Sequence, residues 1–196
     1  IDVEGEITDS RLVCDILYVV SNEHSGYSAP RGTSATQDQT FVASIDVSVV
    51  ADATNGNAAA HIAATSSTLN LSATAVATGI SVSITALDGD LVNSGGVDAL
   101  ANAAIVVAVS ANAVNGDALA YISASDINIS ATATAYGVYA TLTTLGGGFD
   151  NSGDIVATAA ASVDVSVTAV AAPGNAEAYL VAPESSLHLF ASATAY

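Results

Sequence analysis

Along residues 155–171 the chain switches between two kinds of position at nearly every step. Ile155, Ala157, Ala159, Ala161, Val163, Val165, Val167, Ala169 and Ala171 fall on one side, and Thr158, Ser162, Asp164, Ser166 and Thr168 on the other. Successive side chains of a strand point to opposite faces, so a period of two predicts a half-buried strand with the Ala/Val row inside. The same pattern over 127–136 predicts Ile127, Ile129, Ala131, Ala133 and Ala135 inside, with Asn128, Ser130, Thr132, Thr134 and Tyr136 outside. Alanine alone favours helix, but alternating Val, Ile and Thr favour the pleated state, and the predicted fold class is all-β. At Gly79 and Gly137 the apolar parity changes: Ile80, Val82 and Ile84 continue the inner row one position out of step. A glycine at such a slip predicts a bulge or a corner.

The alternation is written three times. "SIDVSV" (44–49) returns 118 residues later as "SVDVSV" (162–167), with "AIVVAV" (104–109) between them, and "VNSGG" (92–96) returns 58 residues on as "DNSGD" (150–154). The turns "TNGN" (54–57), "VNGD" (114–117) and "APGN" (172–175) keep step. After them Ala58, Ala60 and Ile62 correspond to Ala118, Ala120 and Ile122 and to Ala176, Ala178 and Leu180, while His61, Tyr121 and Tyr179 share one outward position. A period of 58–60 residues across 41–196 predicts a repeat array. Asn-Gly suits both hairpins and solenoid corners, so the preferred path is a β-solenoid and the alternative is a row of antiparallel β-sandwich-like modules. Ala-lined inner faces, which let two sheets approach closely, favour the solenoid.

Residues 1–40 form a separate N-terminal segment by composition, holding Arg11, Arg31, Cys14 and only two alanines, Ala29 and Ala35. Within it "SRLVCDILYVVSN" (10–22) reads as a strand apolar on both faces, with Leu12, Cys14, Ile16, Tyr18 and Val20 on one and Val13, Leu17 and Val19 on the other. Such a strand is expected to be covered on both sides. "SGYSAPRGTSATQDQ" (25–39) reads as a loop or linker. A single cysteine excludes an intramolecular disulfide, leaving Cys14 as a small buried hydrophobe or a thiol that pairs between chains.

Charge narrows the function classes. Nineteen acidic residues face two basic ones, for a net charge of −17, and no Lys or Arg occurs from residue 41 onward. This surface repels phosphate backbones and anionic headgroups, which argues against nucleic-acid and membrane-surface roles. No apolar run approaches the roughly 20 residues of a membrane span. The chain opens on Ile1 and contains no Met, so a processed, secreted protein of the extracellular space or cell surface is expected. Hydrophobic residues reach 51% but aromatic residues only 5%, so the core rests on Ala and Val and must be thin.

The succession of "NSG", alternating Ala, a polar turn, "ATA" and a Gly-hydrophobic-Tyr step over 41–196 resembles the Ala/Ser/Thr-rich repeat regions of bacterial autotransporter-like β-solenoid surface proteins. The resemblance implies an exported, elongated structure with no catalytic residues to carry over.

Candidate chemistry is sparse. "LDGDLVNSGGVD" (87–98) and "LGGGFDNSGD" (145–154) place Asp88, Asp90, Asp98, Asp150 and Asp154 on Gly-rich turns, a candidate weak calcium site or simply solvated turns. No other cofactor is indicated. His24, His61 and His188 share no metal-ligand spacing, and the repeat region has no basic residue to act as the base of a lyase, so an enzyme is not expected. Asn70-Leu-Ser72 and Asn128-Ile-Ser130 are glycosylation acceptor triplets at equivalent outward positions.

The expectation is therefore a structural subunit of an extracellular filament or surface fibre. Tyr196 aligns with Tyr136, so the third unit stops before the counterpart of "GVYATLTTL" (137–145). The N-terminal strand of a neighbour is expected to supply what is missing, giving a head-to-tail homopolymer through Leu12, Cys14, Ile16, Leu17, Tyr18, Val19, Val20 and Tyr196. The alternatives are an adhesin or glycan-binding module using Tyr121, Tyr139 and Tyr179, and an ice-binding solenoid using the outward Thr and Ser rows.

Overall fold

The computed structural model describes residues 6–13, 16–24, 37–182 and 187–196, which form strands joined by short turns. In chain order these are β1 (Glu6–Val13), β2 (Ile16–His24), β3 (Gln37–Ala53), β4 (Ala58–Leu87), β5 (Leu91–Asn93), β6 (Val97–Val114), β7 (Ala118–Leu145), β8 (Phe149–Asn151), β9 (Ile155–Ala172), β10 (Ala176–Val181) and β11 (Leu187–Ala195). The fold is all-β and its repeats pair in parallel.

One sheet has the order β1-β2-β3-β6-β9; a second sets β4 on one edge of β7 and β10 and β11 on the other; a third pairs β5 with β8. Each repeat thus gives one strand to the first sheet, turns, and gives the next strand to the second. The registers follow the sequence alignment residue by residue: Ile45 lies beside Ile105, and Ile105 beside Val163. Antiparallel pairing, the mark of the sandwich-like alternative, is confined among the described residues to β1 with β2 and β2 with β3.

The core lies between the first two sheets. Ala99, Ala101, Ala103, Ile105 and Val107 of β6 and Ile127, Ile129, Ala131, Ala133 and Ala135 of β7 are completely excluded from solvent. Alanine at most of these positions leaves little side-chain volume between the sheets. Among the described residues no polar or charged side chain is buried. The inner face is therefore sealed by small hydrocarbon alone.

The structure corrects the sequence in three places and decides between two alternatives in a fourth. Residues 10–22 are not one strand: β1 and β2 fold back on each other, with Val13 beside Ile16 and Leu12 beside Leu17. Apolar residues of both parities are thus divided between two strands of a hairpin; Cys14 lies outside the described residues. The segment 25–39 is not all loop, because Gln37–Gln39 already pair with Val97–Ala99, while 25–36 lie outside the described residues.

The glycines mark corners without a bulge, since Thr78 beside Tyr136 and Ile80 beside Val138 keep one register through Gly79 and Gly137. The register step lies instead between Ala64 and Thr68, where the offset to β7 falls from 60 (Ala64 to Ala124) to 58 (Thr68 to Asp126). This places the two residues by which the first repeat exceeds the second. Finally, Ile80 and Val82 do not extend the core: both are only half-buried and lie outside the core cluster. A Cβ on Gly79 would collide with the Val97 side chain. The chain therefore leaves the core at Gly79 and comes back to the same point at Val97, and residues 80–96 form a partly solvated excursion.

Candidate functional site

Parallel stacking sets equivalent residues side by side, so outward positions become ladders. In the turns the Asn115 side-chain amide donates to Asn55 Oδ1 (3.4 Å). The backbone N–H of Asp117 donates to Asn57 Oδ1 (2.9 Å), and that of Asn175 donates to Asp117 Oδ1 (2.9 Å). Backbone bonds carry the ladder round the same corner, from Ala58 N–H to the Asp117 carbonyl and from Ala118 N–H to the Asn175 carbonyl, each 2.9 Å. Close approach of the turns demands glycine: a Cβ on Gly116 would strike the Gly56 carbonyl, and one on Gly174 the Gly116 carbonyl.

Rings stack in the same way. His61 lies on Tyr121 with centroids 5.0 Å apart, and Tyr121 on Tyr179 at 5.4 Å. Tyr136 stacks on Tyr196 at 5.1 Å and meets Tyr139 edge-on at 5.3 Å. The tyrosines expected as an adhesive platform are thus divided between two stacks, with Tyr139 apart from Tyr121 and Tyr179. Tyr196 is also held by its backbone, donating to the Ala135 carbonyl (2.9 Å) and accepting from Gly137 N–H (3.0 Å).

The acidic turns are spread out along the excursion. Asp90 Oδ1 accepts from Gly148 N–H at 2.7 Å, joining the tips of successive repeats, and Asp150 pairs through its backbone with Val92. Asp98 and Asp154 sit at the base, where the Asp154 carbonyl accepts from Val97 N–H (2.8 Å). All of these carboxylates, with Asp88, are exposed. Among the described residues no three His, Cys, Asp or Glu side chains gather as a metal site would require.

The N-terminal residues expected at a subunit interface lie on the hairpin, with Tyr18 beside Arg11, Val19 beside Ser10 and Val20 beside Asp9. The small hydroxyl ranks run across the second sheet as Thr74–Thr132–Ser192 and Val76–Thr134–Thr194.

The acceptor asparagines Asn70 and Asn128 are register partners, and His188 follows them on β11. The next rank is Ser72, Ser130 and Phe190. These two ranks line an open groove of about 770 Å³, which Thr68 and Asp126 extend. No sequence motif announces it. Its signal was the loss of repeat identity in the third unit, where His188 and Phe190 replace the Asn and Ser of the first two.

No family model matches the chain, and no curated protein or solved structure matches it significantly. Function must be argued from the ladders, the sheet edges and the groove.

Proposed function

We propose that this protein is the structural subunit of an extracellular filament or surface fibre, built as a flattened β-solenoid and assembled head-to-tail by β-strand addition. The observation that carries the proposal is the register: each repeat accepts the next through the same residues, in parallel, over the full length of β3, β6 and β9. Within the chain each layer is extended by a like one, while the outer edge of β3 is occupied by β2, which leaves β1 and β9 as the edges at which subunits join.

Two further features support it. Leu187 and Leu189, on the inner row of β11, are each 47% exposed, whereas their register partners Ile127 and Ile129 are at 0%. A further layer over β11 would bury them, a gain of about 1 kcal/mol each. In the five-stranded sheet the edge strands are β1 and β9. Head-to-tail stacking brings β1 of one subunit to β9 of the next, in the first sheet; because 137–145 belong to β7 of the second sheet, the added segment extends β9 and does not supply the counterpart of 137–145. The resemblance to surface repeat regions supplies the extracellular placement.

Electron microscopy of the purified chain tests the proposal. Filaments are expected, and monodisperse particles would favour the adhesin alternative.

A further inference from the structure

We infer that the groove across β4, β7 and β11 is a binding site for a neutral oligosaccharide. The starting point is a contrast between asparagine pairs. Asn93 donates to Asn151 across adjacent strands (2.6 Å), and Asn115 to Asn55 across adjacent turns (3.4 Å). Asn70 and Asn128 are also in register, yet among the described residues neither side chain makes a hydrogen bond. Both are exposed and border the groove, each amide carrying donors and an acceptor.

The surroundings fit a sugar. Ser72 and Ser130 offer hydroxyls and His188 an imidazole, at the lateral spacing of about 4.8 Å set by neighbouring strands and about 6.8 Å along them. Phe190 is 55% exposed and borders the same groove, an apolar ring placed in solvent beside polar groups. A saccharide combines hydroxyls with a C–H face, so it can bond the amides while laying that face on the ring. A chain with net charge −17 and no Lys or Arg beyond residue 40 disfavours an anionic sugar. A volume of about 770 Å³ is in the range of small-molecule sites.

All the groove's residues belong to one chain, so binding is measured on the unpolymerised subunit, β11 being also the edge that the fibre proposal covers. Isothermal titration calorimetry with cellohexaose, chitohexaose and mannohexaose, and with hexagalacturonate as the anionic probe, tests it. At least one neutral hexasaccharide is expected to bind with a dissociation constant of about 1 mM or tighter, and hexagalacturonate is expected not to. Phe190→Ala should weaken binding about tenfold or more without shifting the melting curve, since the ring is outside the core. Asn128→Ala should do the same, and Tyr179→Ala should leave the affinity unchanged. Absence of binding by all three neutral probes, or affinity untouched by both groove variants, would overturn the inference. Subunits that bind sugar but never polymerise, or filaments that bind none, separate this site from the fibre proposal.

Discussion

Ala131 and Ala133 have no exposed surface, and Thr132 between them points to the outer face. Replacing either alanine by Leu adds volume at a position with no exposed surface, and is expected to cost about 1–3 kcal/mol. Thr132→Val changes only the half-exposed side and should be nearly silent. Chemical denaturation of the three variants checks this, and the opposite order would mean the faces are exchanged. At this scale the sequence was highly legible: every inner position assigned over 127–135 is buried, because period two maps directly onto the two faces of a strand. It was misleading at Ile80 and Val82. Their alternation is as good as any in the chain, but alternation cannot say whether another sheet stands opposite, and after Gly79 none of the core cluster does.

Elements are held in register by ladders that lie on the surface. Asp117 is in the middle of one, accepting from Asn175 N–H while its own N–H donates to Asn57. Asp117→Ala removes the first bond and keeps the second, so a loss of about 0.5–1.5 kcal/mol is expected, read as a lower denaturant midpoint at unchanged slope. Tyr121→Ala breaks the stack on both His61 and Tyr179 and should cost about 1–3 kcal/mol. A shift no larger than that of Thr132→Val would show that the stacks are incidental. The equivalence of these positions was legible from the repeat. The short strands β5 and β8 were not, since Gly, Asn and Asp around Leu91 and Phe149 read as turns. Nor was the hairpin, because apolar residues of both parities describe a doubly covered strand and two mutually paired strands equally well. The groove escaped for another reason: comparing repeats draws the eye to what they share, and Phe190 and His188 are where the third one differs.

For the whole molecule, the offset of 58–60 residues was legible as the register between neighbouring strands, but the direction of pairing is not encoded in alternation and came only with the parallel registers. The proposed assembly would bring subunits of net charge −17 together, so added salt or Ca²⁺ is expected to promote it by screening or binding the exposed carboxylates. Light scattering across ionic strength, with and without chelator, reads this directly; equal assembly at low salt with chelator would remove the electrostatic contribution. Deleting residues 1–22 takes away β1 and most of β2 and should abolish polymerisation, while circular dichroism still reports β structure. A peptide of residues 1–22 added to the intact chain should cap growth. The most direct test of the central claim is the strand direction within an assembled filament, measured by fibre diffraction from aligned, purified protein. Coils stacked edge to edge place strands across the axis and predict a meridional reflection at about 4.8 Å. A 4.8 Å reflection on the equator, or material that yields no filaments to align, would contradict it.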